Sequence, residues 1–176
     1  MRFLLVSSCL SAFIALSCAS QPAGSDTAEA TNDDVVDVAS KFEGSWRLAT
    51  WTDKDEAGET IHPFGEDAFG RIVYGPAGTM AVVLSRRDRS TAGSEEGPLA
   101  GLSPEDSRLL ASGFFAYSGG YTVDEDAGTV THHIEACINP EWVGGDRTRR
   151  FELQTDDRIA LRPVEGTSEL IWEREK

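Results

Sequence analysis

From Gly44 onward the chain keeps returning to one pattern, a short stretch of alternating apolar and polar residues closed by Gly, Pro, Asp or Asn. Alternation at period two puts every second side chain on one face, so each stretch reads as a half-buried strand. "GSWRLATWT" (44–52) is the first. "GRIVYG" (70–75) and "TMAVVLS" (79–85) flank "GPAG", and "GYTVD" (120–124) and "TVTHHIEACI" (129–138) flank "EDAG", each a hairpin signature. "RTRRFELQ" (147–154), "RIALRP" (158–163) and "SELIWERE" (168–175) follow, and a short ninth strand fits Thr60 to His62. Connections this short make neighbours antiparallel. A run of eight or nine such strands is expected to close into an up-and-down barrel, which removes exposed edges. The expected class is therefore all-β, with a flat sandwich as the alternative. The exception is "SPEDSRLLASGFFAYS" (103–118). Ser103 stands as N-cap and Pro104 at the first helical position, and Leu109, Leu110, Phe114 and Tyr117 recur at helical spacing, so one helix is expected there.

The start of the chain is different. Residues 1–17, MRFLLVSSCLSAFIALS, carry Arg2 and then an apolar run from Phe3 to Leu16, too short for a comfortable span of ~20 residues. That length suits a signal peptide. "ALSC" (15–18) resembles a bacterial lipobox, which implies lipidation of Cys18; the alternative is ordinary cleavage nearby and a free secreted protein. Residues 18–40 hold Asp26, Glu29, Asp33, Asp34 and Asp37, with no base and no aromatic residue, and read as a disordered acidic tether. The folded domain is expected over 41–176. With Cys9 cleaved and Cys18 acylated, Cys137 is left alone, so no disulfide supports the domain.

The net charge of −14 lacks the basic clustering that phosphate backbones require. It speaks against nucleic acid, and against lying directly on anionic lipid. Membrane contact is expected through the lipid anchor only, with the cell envelope as location.

"GSWRL" (44–48) resembles the G-x-W signature that opens the first strand of lipocalins. The resemblance implies that Trp46, after Gly44, plugs one barrel end and that Arg174 of "IWERE" packs across it. The longer stretches "HPFGEDAFGRIVYGPAGTMAV" (62–82), "GGYTVDEDAGTVTHHIEACINPEWVGGDRTRRFEL" (119–153) and "LIWER" (170–174) are similar to a bacterial lipocalin-like domain family. Most members of that family lack an assigned activity, so the likeness speaks to fold far more than to function.

Candidate chemistry centres on His132 and His133, which as strand neighbours must face opposite ways. Pairing across "EDAG" gives one apolar face (Tyr121, Val123, Val130, His132, Ile134, Ala136, Ile138) and one polar face (Thr122, Thr131, His133, Glu135, Cys137). His132 is expected to point inward with Tyr121 or a buried water as its hydrogen-bond partner, and His133 outward beside Glu135. A further polar set adds His62, Arg71, Tyr74, Arg149 and Trp142 as ligand-binding candidates. Arg149 shares a face with Phe151 and Leu153, and Trp142 sits in a rim loop, "NPEWVGG".

No CxxC or HxxxH spacing points to a metal, no G-x-S-x-G to a nucleophile, and no cofactor is expected. Adjacent Glu66 and Asp67 read as a solvated loop pair. The expected function is binding a small, mostly hydrophobic molecule inside the barrel. An isomerase, cyclase or hydratase is the first alternative, favoured if a perturbed His132 meets a second titratable group. A filled barrel that binds partners by its surface is the second.

Overall fold

The computed structural model describes residues 37–89 and 102–176. The export segment, Cys18, the tether up to residue 36 and the polar stretch 90–101 lie outside the described residues. A short helix α1 (Val38–Phe42) leads into β1 (Gly44–Lys54), β2 (Thr60–Ile61), β3 (Phe69–Tyr74) and β4 (Thr79–Ser85). Helix α2 (Pro104–Ser112) precedes β5 (Phe114–Asp124) and β6 (Thr129–Cys137). A 3-10 turn (Pro140–Trp142), β7 (Asp146–Thr155), β8 (Arg158–Pro163) and β9 (Glu169–Arg174) complete the order.

The strands pair antiparallel in the order β1-β3-β4-β5-β6-β7-β8-β9, and β9 returns to β1. This is a closed barrel of eight strands, with β2 a two-residue appendage on β1, where Asp53 faces Ile61. Alternation decides what goes inside. Ile72 and Tyr74 on β3 and Met80, Val82 and Leu84 on β4 are buried, while Arg71, Val73 and Ala81 between them face solvent.

Trp46 is fully buried at one end, opposite Arg174 across the β1–β9 pair. Its indole Nε1 donates to the Phe42 carbonyl at 2.7 Å, and the Arg174 guanidinium carbon lies 4.1 Å from the ring centroid. Arg174 also donates to the carbonyls of Glu43 (2.5 Å) and Lys41 (2.6 Å), tying α1 to the barrel. Gly44 adopts φ 121°, a conformation that favours glycine, and a Cβ there would crowd the Arg174 Nη1 at 3.0 Å.

Three features differ from the sequence reading. The helix is shorter than expected, because Gly113 ends it and the aromatic run after it pairs with β4, Ser85 opposite Phe114 and Val82 opposite Tyr117. A second helix exists: α1 is capped by the Asp37 side chain and buries Phe42 edge-on against Tyr74 and Phe151, so ordered chain begins before Lys41. Finally, β6 carries a bulge. Gly119 faces Ile134, but Ser118 faces Ala136, which leaves Glu135 as an extra residue. Beyond it the faces invert, so Cys137 turns toward the core and Ala136 and Ile138 turn outward, the reverse of strict alternation. Gly119 sits so close to β6 that a Cβ would lie 1.9 Å from the His133 carbonyl oxygen. Only glycine fits beside this bulge.

Candidate functional site

The end opposite Trp46 leads into a cavity of about 390 Å³. Antiparallel winding brings to this end the loop before β3, the C-terminal residues of α2 and the 3-10 turn. Phe64 comes from the first and packs on Trp51 at 4.9 Å; Trp142 comes from the last and packs on Phe115 at 5.1 Å. The Arg147 guanidinium lies 4.0 Å from the centroid of the Trp142 ring. Ile72, Val82, Leu84, Leu161 and Leu170 form apolar walls.

The polar groups gather at one place. His132 is 1% exposed and fully engaged, with the Tyr74 hydroxyl 2.8 Å from Nε2 and the Tyr117 hydroxyl 2.7 Å from Nδ1. Burial pushes the His132 ring down to about 3, helped by the positive charge of Arg149 and by His133. Burial drives the Tyr74 phenol well above its usual range and the Tyr117 phenol up to about 12. All three groups are therefore neutral across the physiological range. Arg149 faces the cavity beside them: it pairs across the sheet with buried Val130, and its only hydrogen bond among the described residues is a long one, 3.4 Å, to the Thr148 carbonyl.

Of the expected site residues, His132, Arg149 and Trp142 line the cavity. Tyr74 reaches it only through His132. Tyr121 stands opposite His132 in register, as expected, but its hydroxyl donates to the Gly75 carbonyl (3.3 Å) and its ring packs behind Tyr74 at 4.8 Å. Its place as the histidine's partner is taken by Tyr74 and Tyr117. His62 Nδ1 lies 3.0 Å from the Trp51 carbonyl and buttresses the turn that presents Phe64, without lining the cavity.

Arg71 does not belong to the site. It lies between inward Ile72 and Gly70 on β3, so it projects outward and pairs with Glu175 at 2.7 Å. His133 faces out as expected, but its partner is Asp146 (2.8 Å) rather than Glu135, which the bulge carries away. The sequence reading missed Tyr117, hidden in the expected helix, and Trp172, whose strand neighbour Ile171 is also buried and masks any alternation. Among the described residues no three His, Cys, Asp or Glu side chains gather as a metal site would require.

A closed antiparallel barrel, plugged at one end by a G-x-W tryptophan under an arginine and open at the other to an apolar cavity, is the architecture of a ligand-binding barrel. The chain belongs to the lipocalin-like domain family, whose match spans residues 43–175. Among solved structures it is similar to a lipocalin-like protein from Bacteroides uniformis, at 11% identity over 77% of this chain and 99% of that one, with a TM-score of 0.44. It is also similar to a redesigned beta barrel, at 15% identity over 78% and 95% of the two chains, TM-score 0.39. Comparison with curated proteins finds no match.

Proposed function

We propose that the barrel carries or sequesters a small, mostly hydrophobic molecule at the bacterial cell envelope, where a lipid on Cys18 anchors it. The observation that carries this reading is the cavity, whose volume falls within the ~300–1,000 Å³ of small-molecule sites and whose walls are aliphatic and aromatic. The same space argues against a filled barrel that acts only by its surface. The envelope location rests on the apolar segment ending at Cys18 and the acidic stretch after it.

The enzyme alternative draws on one observation, that a perturbed His132 touches two titratable groups. Against it, the shifts hold all three groups neutral, so none exchanges a proton readily near neutral pH. The cavity lining among the described residues contains no carboxylate to serve as base in their place.

Native mass spectrometry of protein purified from its own host is expected to find a small molecule retained at one per chain. An empty barrel that also rejects every apolar probe would contradict the reading. Separately, Cys18→Ala is expected to move the protein from the membrane to the soluble fraction and to abolish labelling by a fatty-acid analogue. Unchanged membrane association would rule out the lipid anchor.

A further inference from the structure

Every neutral imidazole has one donor nitrogen and one acceptor nitrogen, so the two tyrosines around His132 cannot play the same part. Tyr74 is buried, and His132 Nε2 is the only hydrogen-bond partner of its hydroxyl among the described residues. Were Nε2 protonated, Tyr74 would accept, and its own O–H would be stranded in the core without an acceptor. Tyr74 therefore donates to Nε2. The proton sits on Nδ1, which donates to the Tyr117 oxygen, and the Tyr117 O–H is left over. Tyr117, unlike Tyr74, lines the cavity.

One more donor faces the same space. Arg149 is a permanent cation there with no carboxylate paired to it among the described residues, and it is the arginine that lines the cavity. The described lining contains no Asp, Glu, Asn or Gln to satisfy them; of its two serines, the Ser168 hydroxyl accepts from Trp51 at 2.9 Å and the Ser112 hydroxyl donates to the Leu109 carbonyl at 3.0 Å. A cavity lined by unspent donors is complementary to a group that only accepts.

We infer that the ligand is an apolar molecule ending in a carboxylate, whose oxygens take the Arg149 guanidinium and the Tyr117 hydroxyl. This deepens the proposed function and rests on it. The aliphatic and aromatic walls take the body of the molecule and the donor cluster takes its head. The positive charge opposite the carboxylate makes the preference electrostatic as well as geometric, because charge-assisted hydrogen bonds are about twice as strong as neutral ones.

The test compares decanoate with decanol, which share a chain and differ in the head, by calorimetric titration of the barrel at pH 7.5. Decanoate is expected to bind at least about tenfold more tightly. Arg149→Met keeps the apolar volume of the side chain and is expected to bring the two probes within about twofold; Tyr117→Phe is expected to narrow the gap less. Decanol binding as tightly as decanoate to the unmutated protein would overturn the carboxylate inference and leave the apolar-ligand reading standing. Failure of both probes to bind would overturn the reading itself, and the inference with it. A decanoate preference that survives in folded Arg149→Met would also overturn the inference. The wild-type comparison decides the matter even if that variant does not fold.

Discussion

Replacing Trp46 with alanine is expected to lower the unfolding free energy by about 3–5 kcal/mol, the range for truncating a large aromatic residue in a core. The indole is fully buried where the barrel closes. Its loss strands the Phe42 carbonyl, removes the ring under Arg174 and loosens the attachment of α1, whose Phe42 covers Tyr74 and Phe151. Arg174→Met is expected to cost less, since it keeps the aliphatic stem over the ring and gives up the bonds to Glu43 and Lys41. Because the two side chains touch, the double variant should fall short of the sum by about 0.5–3 kcal/mol in denaturant unfolding. Strict additivity would mean that the stacked contact contributes nothing.

Acid should unfold this protein partly through one buried histidine. His132 has its folded value pushed from 6.5 down to about 3, by burial first and by Arg149 and His133 after it. Below pH 6.5 the unfolded chain takes up a proton that the folded chain refuses, so the unfolded state gains. The contribution of neutral His132 is thus complete above about pH 6.5 and is lost progressively as pH falls toward 3. The loss runs at on the order of 1 kcal/mol per pH unit. His132→Gln keeps one acceptor for Tyr74 and one donor for Tyr117, so it is expected to fold while removing that slope between pH 6 and 4. Carboxylates titrate in the same window in both proteins, and the difference between the two stability profiles isolates the histidine. Parallel profiles would show that His132 is not held neutral.

How much of this was legible in the sequence depended on whether a single period carried the information. The strand positions and the inward face of Arg149 followed from period-two alternation, as did the opposed histidines. The start of β5 did not, because Leu110, Phe114 and Tyr117 also satisfy helical spacing, and only pairing with β4 decides between the two. The bulge at Glu135 was invisible because an inserted residue changes register without changing composition. The doublet Gly119-Gly120 on the facing strand was its one outward sign. Arg71 is excluded from the site by the same alternation, since Ile72 and Tyr74 on its strand claim the inner face. The partners of His132 were beyond reach for a different reason. Tyr117 lies four residues from Tyr121 on the adjacent strand, across the bulge, and Tyr74 comes from β3, brought to the ring by the curvature of the sheet. The same holds for Phe42, a lone aromatic residue after an acidic stretch, which becomes core only because Arg174 and Trp46 hold its backbone.

The space beside His132 is where the ligand is expected to sit, and the imidazole itself reports on it. Nitrogen-15 NMR of the histidines at pH 7 is expected to show His132 as the neutral tautomer protonated at Nδ1, with Nε2 accepting from Tyr74. Adding decanoate should shift the His132 signals through Tyr117 and leave those of His133, bonded to Asp146 and Thr122 on the outer wall, in place. A shift confined to His133, or no response from either ring at saturating probe, would contradict it.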